Sequence, residues 1–390
     1  MKPLSLILAS KSPARLQTLR AAGIEPEVVV SDVDEEAILA HVRGGAGAKV
    51  LALATAKARA VFAAVSSEQG PQDQQADLIL GCDSMFEFEG QVVGKPHTPE
   101  IARERLRAMR GRSGVLHTGH CLLQGRTGAT LGAVSHATVH MADMSDNEIE
   151  AYIAAGEPLW VAGSFTIDGL GGPFIERVDG DHHGVVGLSL PLLRAMLENR
   201  GLSITQLWSS QLNPRAIPAA GELDPVAREY LSSSRVFHPK HDADGFILCS
   251  CGRRHWGLAG AAGVCTFRDR GGRREVLLQL RAAWSHGGGT WSIPGGAIEW
   301  NEDTRTGGLR EFAEETGIED LEVVCEHVAD HGDWSFTSYV ARCMDGIDPV
   351  RDAESEELRW VGVDELPDVL HPAFASSWPE IKAMVLDAHT

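Results

Sequence analysis

Apolar and polar positions divide the chain into two stretches with different rhythms. From Leu4 to about Trp208, short apolar runs alternate with helical patterns. Pro3–Ala9 predicts a buried strand, Leu78–Cys82 another that ends at Gly81-Cys82-Asp83, and Val115–Gln124 a third. Pro13–Ala22 predicts a helix with proline near its first turn, followed by the alanine-rich helix Ala48–Val65 and by Pro99–Met109. Ser145–Ala155 predicts a further helix with Ser145 as its N-cap. Strands that alternate with helices predict an α/β domain. Ser209–Gly221 (SSQLNPRAIPAAG) has little periodicity and predicts a linker. Leu223–Leu231 reads as a short helix and Ser232–Gly245 as a polar stretch. From Phe246 onward come strand-like runs: AAGVCTF, REVLLQL, LEVVCEHV, WSFTSYVARC and ELRWVGV. One helix interrupts them near 303–316, and another, Trp378–Ala388, closes the chain. The expected division is a domain over 1–208, a linker over 209–245 and a second domain over 246–390.

A length of 390 residues supports that division, because single cores stop growing below it. No apolar run approaches the ~20 residues of a membrane span. The first residues, Met1 to Arg15, read as a strand and a turn rather than a signal peptide. A formal net charge of −19 argues against a nucleic-acid polymer as partner, since polyanion binding needs a basic face. Single nucleotides remain open, because their phosphates need only a few local cations. The seven cysteines, at 82, 121, 249, 251, 265, 325 and 343, are odd in number and irregular in spacing. They read as reduced thiols of a cytosolic protein.

The sharpest chemistry lies in GAIEWNEDTRTGGLREFAEETGI, which starts at Gly296. On a helix Glu311, Glu314 and Glu315 share one face, and three crowded carboxylates repel one another. A hard divalent cation turns that repulsion into binding, and it also takes phosphate oxygens and water. Arg310 sits beside the cluster, where a pair with Glu302 would brace the loop. Gly296 and Gly317 mark its two ends. The segment fills every fixed position of the pattern G-x5-E-x7-R-E-U-x-E-E-x-G-U (U apolar). It resembles the Nudix box, and the resemblance extends over roughly 246–390 through GGGTWSIPGG and ELRWVGVDEL. It implies an α/β/α sandwich with magnesium or manganese held by Glu311, Glu314 and Glu315. It implies attack of water on a substituted diphosphate, with Glu311 the carboxylate that helps deprotonate it. Gly296, Glu302, Arg310 and Gly317 are then structural positions. Glu354, Glu356 and Glu357 are candidates for a further ligand or base. Cys249-Ser250-Cys251 and His255, with His238 and His241 upstream, invite a zinc reading. Their C-x-C-x3-H spacing is not a standard four-ligand pattern, and incidental loop residues are the plainer reading.

In the first half the chemistry comes in separated pieces. LASKSPAR joins a strand to a helix start with hydroxyls and a cation, which suits phosphate. VDEE is an acidic turn, and Lys57 stands on an alanine-rich helix. Asp83 follows an apolar strand in GCDSMFEFEGQVVGKP, a favoured catalytic place in α/β sheets, and Lys95 follows an expected hairpin. The glycines of GEPLWVAGSFTIDGLGG let backbone approach a ligand closely. With HTGH and VVGLSLPLL, these pieces in this order resemble the Maf family of nucleoside triphosphate pyrophosphatases over roughly 1–208. The resemblance implies a Maf/Ham1-like α/β domain with a mixed sheet and a cleft, usually a homodimer. It implies hydrolysis of a nucleoside triphosphate to monophosphate and pyrophosphate. Asp83 then activates water, Ser10, Arg15, Lys57 and Lys95 contact phosphates, and Glu35 lies near a metal.

Some positions depart from the family pattern. Ala14 stands where an arginine is common. Ser84 and Asp168 stand where the pyrimidine-type subgroup has threonine and glutamine, while AGSF looks like the subgroup acting on 7-methylguanosine triphosphate. A carboxylate at Asp168 accepts hydrogen bonds from base N–H groups where glutamine both gives and accepts, so the base stays open. The whole reads as a bifunctional nucleotide hydrolase. The alternative takes one half as a nucleotide-sensing module tied to cell-division control. Retention of Asp83, Lys95 and every box glutamate weighs against it.

Overall fold

The computed structural model describes residues 4–68, 76–209, 225–233, 237, 239–283, 285, 287–343, 349–352 and 354–388. Most of the expected linker (210–221), Pro3 and His238 lie outside them. The chain forms two compact units, Met1–His238 and Pro239–Thr390. Both are α/β.

In the first unit β1 (Leu6–Ala9) is wholly buried and leads into α1 (Pro13–Ala21), capped by the Ser12 hydroxyl. Then come β2 (Glu27–Val28), α2 (Glu35–His41) and the long α3 (Ala46–Glu68). β3 (Leu78–Phe88) pairs in parallel with β1, which also pairs in parallel with β2. β4 (Gln91–Val93) folds back on β3 across Glu89 and Gly90, whose φ angles of 52° and 75° match a tight hairpin turn. After α4 (Pro99–Met109), β5 (Ser113–Gln124) and β6 (Thr130–Met141) extend the sheet antiparallel. α5 (Asp146–Ala154) carries a full capping box between Ser145 and Glu148. β7 (Ile175–Gly180) pairs with β6, and α6 (His182–Val186), α7 (Leu190–Glu198) and α8 (Pro225–Ser232) complete the unit. The sheet is therefore mixed.

Small residues let α3 lie close on this sheet. A Cβ at Gly81 would run into the Ala54 carbonyl, and one at Gly119 into the Val50 carbonyl. Ala54 and Ala58 complete the contact with Ile7, Ile79 and Leu123. By length and composition α3 would suffice for a membrane span, but half of that stretch is buried inside the unit. A second cluster packs Phe86, Leu106, Ile149 and Phe165 beneath α4 and α5.

In the second unit β8 (Phe246–Leu248) and β9 (Arg254–Trp256) form a hairpin. β10 (Ala261–Arg270), β11 (Arg273–Arg281), β12 (Trp291–Ser292), β13 (Gly295–Ala297), β14 (Leu321–Asp330), β15 (Ser335–Cys343) and β16 (Ser355–Gly362) make a mixed sheet. The order is β12-β11-β10-β15-β14, with β13 on β10 and β16 on β11. α9 (Thr304–Thr316) covers one face and α10 (Pro372–Asp387) the other. Strand alternation explains the division: Ala262 and Val264 pack with Phe312 of α9, while Cys265 and Phe267 pack with Ile381 and Val385 of α10.

Two expectations need correction. β3 does not stop at Cys82 but runs to Phe88, so Asp83 lies within the strand rather than after it. Its polar Asp83-Ser84 pair mimics a strand exit, yet backbone pairing with β5 continues through both residues. α10 begins at Pro372, not Trp378, and continues through Pro379, because Phe374 adds a buried anchor upstream.

Candidate active sites

The first unit opens a cleft of about 1000 Å³ whose lining includes Ser10, Ala14, Arg15, Glu35, Lys57, Asp83, Ser84, Lys95 and Asp168. The structure thus brings together all nine residues that the sequence put forward in this half. Asp83 is only 9% exposed. Lys57 Nζ stands 2.6 Å from its Oδ1 and 2.8 Å from Glu35 Oε1. α3 positions that lysine, and β3 positions the aspartate. Burial pushes the Asp83 carboxyl up, and the attraction of Lys57 and Arg15 recovers only part of the rise. Burial also pushes Glu35 up, but Lys57, backed by Lys11 and Lys95, holds it below its ordinary value.

Arg15 is held by neutral oxygens: Gly187 O at 2.7 Å, Ser10 Oγ at 3.1 Å and Ser84 Oγ at 3.1 Å. A guanidinium fixed in that way keeps its charge available for an anion. Behind it lies a relay that the sequence reading left without roles. Ser84 Oγ meets Thr118 Oγ1 at 2.9 Å, and Thr118 donates to Gly184 O at 2.8 Å. His120 is fully buried, with Nδ1 bonded to Thr118 O at 3.0 Å and Nε2 accepting from Ser189 N at 2.9 Å. Those partners fix its tautomer, and burial drops its pKa to about 4. HTGH was visible as a piece, but only the β3–β5 register, Ser84 opposite Thr118, reveals its use.

Glu157 was missed as well. Its carboxylate accepts from Tyr152 Oη at 2.9 Å, Leu170 N at 3.0 Å, Gly171 N at 3.1 Å and the Thr166 hydroxyl. Burial raises it, but these donors outweigh burial and hold it below its ordinary value. It thereby fixes the loop that carries Asp168. At the cleft mouth Trp160 is 64% exposed and meets His97 edge-on, with ring centroids 5.5 Å apart.

The second site gathers around α9. Arg310 bonds Glu302 at 2.7 and 2.9 Å, Glu311 at 2.7 Å and Glu314 at 3.3 Å. Glu302 holds it well above the ordinary arginine value. A Cβ at Gly296 would strike the Glu311 carboxylate, which accounts for glycine at the head of the box. Gly317, at φ 69°, ends α9 in the left-handed conformation. Burial pushes Glu311 up, and Glu314 and Asp244 add repulsion against the pull of Arg310.

Glu315 differs from its neighbours. It is 4% exposed, accepts from Gly295 N at 2.7 Å, and burial pushes its pKa up to about 8. The group whose donor atoms converge within 4.8 Å is instead Glu311, Glu314 and His241. His241 Nδ1 also lies 2.9 Å from Glu299. The crowded oxygens fit a hard divalent cation. Glu354, Glu356 and Glu357 are engaged elsewhere, by Lys240, Ala283 N and Arg359 respectively.

Comparison with known proteins identifies the family of each half. Residues 5–200 match the model of Maf-like proteins, and residues 257–382 match the NUDIX domain. A nucleoside triphosphate pyrophosphatase/Nudix hydrolase fusion protein of Bifidobacterium longum is 44% identical over 322 residues. That match takes 78% of this chain and 65% of the relative, so the chain spans about two thirds of its length. A nucleoside triphosphate pyrophosphatase of Salinispora tropica is 52% identical over 216 residues, 55% of this chain and 92% of the relative. Among solved structures, a Nudix hydrolase from M. smegmatis is 37% identical and covers 38% of this chain and 98% of its own, with a TM-score of 0.35. The chain belongs to the Maf-like protein family and carries a NUDIX domain behind its Maf-like half.

Proposed function

We propose that the chain is a bifunctional nucleotide hydrolase. Its first unit hydrolyses nucleoside triphosphates, modified ones included, to monophosphate and pyrophosphate. Its NUDIX unit hydrolyses a nucleoside-diphosphate-linked substrate. The observation that carries the first reading is Asp83, a buried carboxylate in a nucleotide-sized cleft, touched by Lys57 and close to a guanidinium bonded to neutral oxygens.

In this account Asp83 takes the proton from the attacking water. A raised pKa makes its carboxylate a stronger base, and the contact with Lys57 favours the charged form. Arg15, Lys57, Lys95 and Ser10 hold the phosphates, with Ala14 leaving room beside Arg15. Trp160 offers a face to the base, and Asp168 accepts from its N–H groups. In the second unit Glu311 helps deprotonate water, and Glu302 and Arg310 brace the loop. A divalent cation, magnesium or manganese, would neutralise developing phosphate charge when bound. Glu35 would hold it in the first unit. Glu311, Glu314 and His241 would hold it in the second, and Glu315 would join them by releasing Gly295 N. A homodimer through the first unit and a cytosolic location belong to the same reading, supported by the family resemblance and the free cysteines.

The test is a panel of nucleoside triphosphates incubated with the full chain and magnesium, with products resolved. Monophosphate and pyrophosphate are expected together, and Asp83→Asn should abolish both. Release of orthophosphate, or unchanged turnover in Asp83→Asn, refutes the reading.

A further inference from the structure

We propose that Cys249, Cys251 and His255 hold a structural zinc ion, distinct from the cation of the Nudix box. Cys249 and Cys251 sit in the turn between β8 and β9, and His255 stands on β9. Their ligand atoms all lie within 4.8 Å of one another. Cys251 Sγ is 3.2 Å from His255 Nε2. With Zn–S about 2.3 Å and Zn–N about 2.0 Å, tetrahedral ligands stand ~3.5–3.8 Å apart, so shifts of about 1 Å close the cluster on an ion.

The cluster is packed into the fold. Cys249 is 3% exposed; its sulfur accepts from Cys251 N at 3.5 Å and its thiol donates to His331 O at 3.2 Å. The His255 ring is held flat on Trp334, with centroids 4.2 Å apart and planes 9° apart. The donor set is soft sulfur and imidazole, which selects zinc, whereas the box offers hard oxygens. The fourth corner falls to His331, whose ring centroid lies 4.6 Å from that of His255, or to water.

With His331 at the fourth corner the ion would join the β8–β9 turn to the loop between β14 and β15. That contact already has Ser250 N on Asp333 at 2.8 Å and Trp334 Nε1 on Gly257 O at 2.9 Å. Gly257 N and Leu258 N in turn bond Gly245 O and Ala243 O, at 2.8 and 2.9 Å. The zinc would thus anchor the segment that presents His241 to Glu311 and Glu314.

The test is metal analysis of the full chain, expressed with zinc and dialysed against magnesium buffer. About one zinc per chain is expected, falling to background in Cys251→Ser, an exposed and nearly isosteric change. A cooperative unfolding transition of the second unit retained in Cys251→Ser controls for its folding. Replacement by cobalt(II) should give a thiolate–cobalt charge-transfer band that Cys251→Ser lacks. Loss of zinc in His331→Ala assigns the fourth corner to that residue, and retention assigns it to water. A zinc-free wild type, zinc content unchanged in Cys251→Ser, or Cys249 and Cys251 found joined as a disulfide overturns the proposal.

Discussion

The two sites solve opposite electrostatic problems. Each buries a carboxylate, Asp83 at 9% exposure and Glu315 at 4%. Asp83 has its compensating cation within the fold, Lys57 at 2.6 Å. Arg15 beside it spends its hydrogen bonds on neutral oxygens, so that site stands ready for an anion. Around α9 the balance is reversed. One guanidinium, Arg310, serves Glu302, Glu311 and Glu314, and Glu315 turns inward to a backbone N–H. In the proposed function the second site would take up a cation before accepting a phosphate, whereas the first already holds cationic side chains of its own.

The largest effect that would sharpen this contrast is metal removal. Chelation of divalent ions should lower NUDIX-unit turnover at least about a thousandfold, because such an ion contributes several kcal/mol to charge stabilisation. Persistence of that turnover without divalent ions breaks the contrast. The next effect belongs to the first unit. His120, with its folded pKa near 4 and an unfolded value near 6.5, stays neutral in the fold while the unfolded chain takes a proton. Its contribution is complete above about pH 6.5 and is lost between there and about pH 4, to the extent of about 3 kcal/mol. Unfolding of the full chain followed from pH 7 to 4 should show this acid loss, and His120→Gln should flatten it.

Arg15→Lys should raise KM for the triphosphate about ten- to a hundredfold, the worth of charged hydrogen bonds that a lysine cannot place. NUDIX turnover should not change. Glu157→Gln weakens the acceptor that fixes the Asp168 loop, and about a tenfold rise in KM is expected with kcat nearly unchanged. Smallest is Ser145→Ala, which removes the capping box of α5. It should cost about 1 kcal/mol in denaturant unfolding and leave both activities intact.

What could be read from the sequence follows how local each feature is. The box is one continuous segment on one helix, so spacing alone set Glu311, Glu314 and Glu315 on neighbouring turns. Spacing could not tell that Glu315 points inward, because that depends on Gly295 across in β13. Asp83 was identifiable from the apolar run before it, but its polar neighbour Ser84 made the strand look finished. Thr118 and His120 act through strand register and through Gly184 and Ser189, which are distant in sequence. Glu157 sat in a stretch read for its glycines, and His241 was read toward the cysteines, whereas folding sets it beside Glu311 and Glu314. The three layers of the second unit followed from the family resemblance, because β10 is apolar on both faces and does not itself say which helix covers which.

The most direct test of the contrast measures both activities in one full-length chain with magnesium, in the wild type, in Asp83→Asn and in Glu314→Gln/Glu315→Gln. The account predicts a crossed result. Asp83→Asn loses pyrophosphate release from triphosphates and keeps hydrolysis of the diphosphate-linked substrate, and the double variant does the reverse. A variant that lowers both activities together, or neither, contradicts two separate sites.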